Sequence, residues 1–462
     1  MSDDEVSGSR FGRLARLGWL SRRAVPLAFS RMRELAGKAE DVVLDAKTAA
    51  RHALAAEEIF SALGDMKGVA LKLGQMLSYM DGVLPEQYRP VYQKALSKLQ
   101  TAAPPMDWAA VEPVLVAELG GPVADIFAEF APEPFAAASI GQVHRARLLT
   151  GEDVAVKVQY PGVANAMRAD LENVGTFEWL LRPLVGLSDF GGDKRYVRAV
   201  IDELRARLLE ELDYRREAEM QMRFAECFAG DPELRVPKVF PHASSDRVLT
   251  TGFIEGRSLA EVCETASQED RDRYGQALVR GLVTSFHTLS LFNADPHPGN
   301  YLFPADGSVV LLDFGCVKII PPEMLADIEG YQRTAIVATR TDAEADWDAF
   351  DQAIVRALKL DPDNRPVYRV YREFILYILR PILRDEPFAF DLEYTRESVD
   401  RVMAAKQELL FSKGIIPRMP KLPPLPVDYT MLNRLQFGFF SVLSHLRARV
   451  NWHAELPAHI RA

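Results

Sequence analysis

The sequence predicts an α+β fold in two lobes, a small β-rich lobe followed by a larger helical one, behind a helical N-terminal extension. Three observations predict it. Residues Asp153 to Gln159 alternate, with Val154, Val156 and Val158 on one face and Ala155 and Lys157 on the other, the period of a half-buried strand. Tyr301-Leu302-Phe303 and Val309-Val310-Leu311-Leu312 flank the turn Pro304-Ala305-Asp306-Gly307-Ser308, a strand–turn–strand with Asn300 at one end and Asp313 at the other. The stretches ahead of residue 130 and beyond Pro322 show mostly helical apolar spacing.

The polar residues at the ends of that hairpin carry the chemistry. Asp295-Pro296-His297-Pro298-Gly299-Asn300 leads into it and Asp313-Phe314-Gly315 leads out. A protein-kinase catalytic site uses the same groups in the same order: an Asp near the attacking hydroxyl, an Asn five residues on that holds Mg²⁺, and the Asp of D-F-G on Mg²⁺. Oxygen ligands suit this hard cation, which must neutralise charge on the β- and γ-phosphates of ATP. Each piece alone also occurs as a plain turn or a common tripeptide. The two in register point to a bilobal protein-kinase-like fold, with Asn300 and Asp313 side by side.

Composition narrows the class. In 462 residues, 48% are hydrophobic and 26% charged, as in soluble globular proteins. The formal net charge of −10 argues against a nucleic-acid partner, whose binding protein would carry a basic footprint. Cys227, Cys263 and Cys316 lack metal-ligand spacing and suit packing thiols in a reducing cytosol. No signal peptide or transmembrane run is evident, so a cytoplasmic location is expected.

Residues 1–40 form a basic amphipathic arm. Arg10, Arg13, Arg16, Arg22, Arg23, Arg31, Arg33 and Lys38 face a single acid, Glu34, over 10–38, with Phe11, Leu14, Leu17, Trp19 and Leu20 interleaved. Such an arm fits an anionic membrane surface, a solvated tail, or a helix docked on the acidic body. Residues 41–130 form the helical extension. There Met66, Val69, Ala70, Leu73, Met76, Leu77 and Met80 make one apolar stripe, with Lys72 and Gln75 adjacent to each other off it. Spacing alone makes those two a solvated flank. Pro104-Pro105 marks a linker before a helix over Trp108 to Leu119.

Residues 131–256 form the smaller lobe. Phe135-Ala136-Ala137-Ala138-Ser139-Ile140-Gly141-Gln142-Val143-His144 stands where a kinase carries its glycine-rich loop. Val154-Ala155-Val156-Lys157 matches V-A-I-K, which makes Lys157 the phosphate lysine. A helical pattern over 196–228 contains Glu211-Leu212-Asp213-Tyr214-Arg215-Arg216-Glu217. Asp213 and Glu217, four apart, would stack on one helix face and repel unless Lys157 or Mg²⁺ intervenes. A salt-laced exposed helix reads equally well, given Arg205, Arg207, Arg215 and Arg216. Arg247-Val248-Leu249-Thr250-Thr251-Gly252-Phe253-Ile254-Glu255-Gly256, a strand and turn, suits an adenine-binding hinge.

Together these residues resemble the UbiB/ABC1/ADCK family of atypical kinase-like proteins, also called AarF-like, over more than half of the chain. Lys72-Leu73-Gly74-Gln75 matches its K-x-G-Q signature, Ala137-Ala138-Ser139 its alanine-rich nucleotide loop, and Glu211-Leu212-Asp213 its E-x-D motif. The resemblance implies that Lys72 and Gln75 are site residues on a helix held across the active site. It implies that Ala137, Ala138, Ser139, Lys157, Glu211, Asp213 and Glu217 contact the nucleotide side, with Glu217 pairing the lysine. Asp295 takes the catalytic position, Asn300 and Asp313 the metal positions. The implied setting is isoprenoid-quinone or other lipid metabolism, with a small or lipid-like substrate and lipid-biosynthesis enzymes as partners. Any membrane association would be peripheral, on the inner face.

Three departures from ordinary protein kinases bear on mechanism. Asn293-Ala294 replaces the His-Arg that would precede Asp295, removing the arginine that reads an activation-loop phosphate. After Gly315 the chain soon reaches Pro321-Pro322, which leaves little room to cradle a peptide. An alanine-rich loop also has less backbone freedom than a glycine-rich one.

Residues 257–462 form the helical lobe with the catalytic and metal-binding loops. Its proline-rich stretch 417–426 predicts an extended strap. Phe437, Phe439, Phe440, Val442, Leu443 and Leu446 lie on an apolar helix that suits packing in this lobe or a lipid-facing groove. The expected function is an Mg-dependent ATPase or kinase on a small or lipid-like molecule. The alternatives are a non-enzymatic nucleotide-gated protein that presents lipid intermediates to partner enzymes and, opposed by the short segment after Gly315, a protein kinase.

Overall fold

The structure, a computed structural model, describes residues 106–461 except for 139, 173–197, 199–201, 203–204, 207, 392, 395–396 and 398–426. The basic arm, the 66–80 stripe with Lys72 and Gln75, Pro104-Pro105, Ser139 and the 417–426 stretch lie outside the described residues. The described chain forms two units. Residues of the first fall within Met1–Val123, Phe130–His144 and Lys157–Leu212, those of the second within Ala124–Glu129, Arg145–Val156 and Asp213–Ala462.

In the first unit, helix α1 spans Trp108–Leu119, as the pattern predicts, and buries Val111, Val114 and Leu115. Gly120 ends it at φ +76°, its N–H on the Val116 carbonyl at 3.1 Å, a conformation that costs glycine little. Strand β2 (Ala136–Ala138) pairs antiparallel with the start of β3 (Gly141–Leu148), Ala136 opposite Val143 and Ala138 opposite Gly141. Gly141 leaves no room for a side chain: a Cβ there would lie 2.2 Å from the Val158 carbonyl oxygen on β4 (Asp153–Gln159).

Behind this hairpin are two fully buried polar side chains, Gln142 and His144. The Gln142 amide grips Met106 twice, accepting from its N–H at 2.8 Å and donating to its carbonyl at 3.2 Å. Gln142 Nε2 also lies 3.0 Å from His144 Nε2, and His144 Nδ1 lies 2.8 Å from the Ala131 carbonyl. An amide NH₂ only donates and a carbonyl only accepts, so His144 is neutral with its proton on Nδ1. Burial pushes its pKa down, in keeping with that form. Helix α2 (Val163–Glu172) follows β4.

One sheet has the strand order β1 (Phe127–Phe130), β3, β4 and β6 (Val248–Gly252). Val154, Val156 and Val158 are fully buried while Ala155 and Lys157 are half-buried, as their alternation requires. The segment after β6 stays tied to the sheet through the Phe253 N–H, which donates to the Asp153 carbonyl at 3.0 Å.

The helical pattern over 196–228 is not one helix. Residues 208–210 are helical, Glu211 and Leu212 turn, and helix α3 begins afresh at Tyr214–Cys227. Asp213 causes the break by capping: its Oδ1 accepts from the Arg216 N–H at 2.9 Å, and its backbone is non-helical at φ −107°, ψ 85°. Asp213 therefore precedes the helix and does not share a helix face with Glu217, which is buried in the first turn.

The rest of the second unit is mainly helical: α4 (Leu259–Thr265), α5 (Gln268–Leu289), α6 (Pro322–Thr341), α7 (Glu344–Leu358), α8 (Arg365–Leu379) and α9 (Val427–Leu446). Helix α4 begins with a capping box, Ser258 with Glu261, and α5 with Ser267. One core runs through them, including Leu278, Val279 and Val283 of α5, Ile336 of α6, Ile354 of α7 and Ile375 of α8. Helix α9 joins it through Phe439, Phe440, Val442, Leu443 and Leu446, all buried. The Phe440 ring lies 5.4 Å from Phe390 and 6.0 Å from Trp452, so packing is the role observed for these residues. The Phe437 side chain lies outside the described set. All three cysteines are free thiols, Cys316 buried and the others half-buried. Among the described residues no helix is long and apolar enough to cross a membrane.

Candidate functional site

Two short strand pairs in the second unit build the site. The first is β8 (Tyr301–Leu302) with β9 (Val309–Leu311), Tyr301 opposite Leu311, and β5 (Leu234–Arg235) runs parallel along the other side of β9. Its turn closes where Asp306 Oδ1 accepts from the Ser308 N–H at 3.0 Å and Gly307 adopts φ +85°. At the open end the Leu312 N–H donates to the Asn300 carbonyl at 3.0 Å, so Asn300 and Asp313 leave the hairpin side by side. The second pair, β7 (Leu291–Asn293) with β10 (Val317–Ile319), sets Asn293 opposite Val317, and the Ala294 N–H donates to the Cys316 carbonyl at 3.0 Å. Asp295 and Asp313 thus emerge from loops pinned together on both flanks.

Side chains cross-tie these loops. Asn300 Nδ2 donates to the Asp295 carbonyl at 2.7 Å, and the His297 N–H donates to the same oxygen at 2.8 Å. With its NH₂ so engaged, the Asn300 amide has its oxygen as the atom suited to a hard cation. Asp313 Oδ1 accepts from the Gly315 N–H at 2.9 Å, which fixes that carboxylate to its own loop. Phe314 is buried against Phe224 of α3, ring centroids 5.0 Å apart, and Arg216 of α3 donates to the Val317 carbonyl at 2.9 Å. Tyr301 is buried beside the loop. Burial, reinforced by the Asp295 charge, raises its pKa far above the ordinary phenol range and keeps it protonated. A cavity of about 50 Å³ lies beneath, its walls including Asn293, Asn300, Asp313, Phe314, Leu282 and Phe439.

Asn293 is the residue of this site that sequence reasoning misses. It registers there only as a replacement for histidine. In the fold its Oδ1 accepts from the Asp295 N–H at 3.0 Å and its Nδ2 donates to the Asp313 carbonyl at 2.5 Å. One amide therefore spans both acid loops. Only its place two residues before Asp295 hinted at this.

The structure brings Asp295, Asn300 and Asp313 together in the second unit, which also holds Asp213 and Glu217. Ala137, Ala138, Lys157 and Glu211 belong to the first unit. Ala137 is exposed, Ala138 and Lys157 half-buried, and Glu211 buried in the turn that ends at the α3 cap. Lys72, Gln75 and Ser139 lie outside the described residues. After Gly315 the chain forms β10 and enters α6 at Pro322, the short passage that the sequence anticipates.

Residues 98–344 match the ABC1 atypical kinase-like domain. The chain is 34% identical to the rat mitochondrial atypical kinase COQ8B over 454 residues, 96% of this chain and 79% of that protein. It is 33% identical over 302 residues to an uncharacterised Synechocystis protein, spanning 64% of this chain but only 42% of that longer one. Among solved structures, a Mycobacterium tuberculosis protein in complex with erythromycin superposes with a TM-score of 0.62 at 31% identity, covering 90% of this chain and 98% of that one. The fold is kinase-like, of mixed helices and sheets. With over half of its length inside that domain and similarity to COQ8B running almost end to end, the chain belongs to the ABC1 atypical kinase-like family.

Proposed function

We propose that this protein binds ATP with Mg²⁺ and releases or transfers the terminal phosphate, with a small or lipid-like molecule as acceptor. The observation that carries the reading is the double strand clamp that sets Asp295, Asn300 and Asp313 on adjoining loops. Family membership supports kinase- or ATPase-like activity in general.

The donor set fits a magnesium site. Asn300 would offer its amide oxygen, its Nδ2 being engaged by the Asp295 carbonyl, and Asp313 a carboxylate oxygen. A cation held here would take its remaining ligands from phosphate oxygens and water, the habit of Mg²⁺. When bound it would neutralise charge building on the phosphates. Asp295 orients the attacking oxygen and takes its proton. Lys157 meets the phosphates, Glu217 orients that lysine, and the backbone of Ala137, Ala138 and Ser139 covers the nucleotide. Glu211 and Asp213 serve the nucleotide side, Asp213 through its position at the start of α3. Lys72 and Gln75 guard entry to the site. The short passage into α6 opposes a peptide acceptor. The substrate class and a peripheral place at an anionic membrane, beside isoprenoid-quinone or other lipid-biosynthesis enzymes, follow from the family resemblance.

A second reading, nucleotide-gated binding of a lipophilic molecule without turnover, draws support from the neighbour solved with erythromycin, whose chain this one covers almost completely. Phosphate release from Mg·ATP, measured with and without anionic liposomes, separates the two. Turnover that Asp313→Asn abolishes supports the enzyme. Nucleotide binding without turnover under every condition supports the gated binder, and absence of binding rejects both.

A further inference from the structure

Helix α9 approaches Pro296, the residue after Asp295, at Gly438, where it carries no side chain. A Cβ placed on Gly438 would lie 2.4 Å from Pro296 Cγ, 3.5 Å from its Cδ and 3.6 Å from its Cβ. Contact at 2.4 Å between carbons is far inside van der Waals range, so either the helix or the loop would have to move. Glycine in the middle of a helix is disfavoured relative to alanine. Its presence in α9 is explained by close approach to the proline ring. The next residue, Phe439, is buried and lines the cavity beneath Asn293, Asn300 and Asp313. Successive residues of one helix therefore meet the acid loop and line the cavity that Asn300 and Asp313 also line.

We infer that Gly438 is a positioning residue for the reaction: by admitting Pro296 against α9 it sets the height of the Asp295 loop. The inference rests on the role proposed for Asp295. The loop itself is well tied, since the Asp295 carbonyl accepts from both Asn300 and His297. A methyl at 438 would thus displace it as a body, carrying the carboxylate with it.

The test uses full-length Gly438→Ala, Pro296→Ala, the double variant and Asp295→Asn. Turnover of Mg·ATP, nucleotide affinity and hydrogen exchange of the 293–300 amides are measured on each. Gly438→Ala should lower kcat at least about tenfold, because small displacements of reacting groups cost that much or more. Nucleotide affinity should stay within about threefold, the mark of lost positioning rather than lost binding. Pro296→Ala removes the Cγ and Cδ that a new methyl would strike. The double variant should therefore recover to within about threefold of Pro296→Ala alone, a coupling that independent sites lack. A Gly438→Ala protein as active as wild type, or a loss that Pro296→Ala leaves unrelieved, overturns the inference. If Asp295→Asn matches wild-type turnover, the proposed function fails instead. The packing is then decided by exchange, which must quicken in Gly438→Ala and return to the Pro296→Ala level in the double variant.

Discussion

The alanine strand of the first unit and the acid loops of the second both hang on short antiparallel pairs, yet they are secured in different ways. At β2 only backbone pairs with β3, and Ala136 and Ala137 stay exposed. Its support comes from behind, from Gly141 pressed on the Val158 carbonyl and from the buried Gln142 and His144. At the acid loops the ties are within the site, where Asn293, Asn300 and the Gly315 N–H hold the segments that bear Asp295 and Asp313. The difference follows from what each presents. Under the proposed function β2 offers its backbone to the nucleotide, and such a surface must keep side chains small and out of the way. Carboxylates repel one another and need fixed hydrogen bonds on each loop to stand close.

Removing charge from the acid side should give the largest effect. Asp313→Asn is expected to lower phosphate release at least about a hundredfold, since electrostatic groups of this kind contribute on that scale. Steady-state turnover over a magnesium titration checks it, and residual activity near wild type would remove Asp313 from the metal assignment. Next in size comes Asn293→Ala, which leaves the Asp295 N–H and the Asp313 carbonyl without their present partner. Each unmet group costs about 1–3 kcal/mol, so the melting temperature should fall and kcat should drop roughly tenfold or more. Activity intact in a destabilised protein would show that the amide holds the fold alone.

The first unit should respond in stability before activity. Gly141→Ala forces a methyl onto a backbone carbonyl and should destabilise by about 1–3 kcal/mol in urea unfolding. No change in midpoint would show that β3 and β4 separate freely. The smallest effect is a pH dependence. The folded pKa of His144 lies below its model-peptide value of 6.5, so the unfolded chain binds the proton more readily as pH falls. Its contribution is complete above that value and is lost on acidification toward the lowered folded pKa. Buried His287, also lowered by burial though opposed by Glu329, adds in the same direction. His144→Gln should flatten the dependence of the unfolding midpoint between about pH 5 and 7, leaving the His287 part. An unchanged slope would mean that His144 does not titrate differently in the two states.

Much of this was legible in the chain itself. The strand Asp153–Gln159 follows from side-chain periodicity and the helix Trp108–Leu119 from the proline pair that precedes it, local signals that need no partner to be read. The order Asp295, Asn300, Asp313 and the short passage to Pro322 were equally plain, since a hairpin of known length joins the first two to the third. The helical pattern over 196–228 misleads because it continues across a cap. Whether Asp213 caps or continues depends on its backbone angles, and composition does not encode those.

By itself, then, the sequence determined the element types, the acid–amide–acid order and the membership of a kinase-like family, all carried by spacing along one chain. Tertiary structure alone decided that Asn293 bridges two loops, that Gln142 clasps Met106, and that Gly438 makes room for Pro296. Each of those depends on which distant segments come within a few ångströms of each other. Close packing and hydrogen-bond geometry are satisfied only once the chain has folded, and no local pattern reports them.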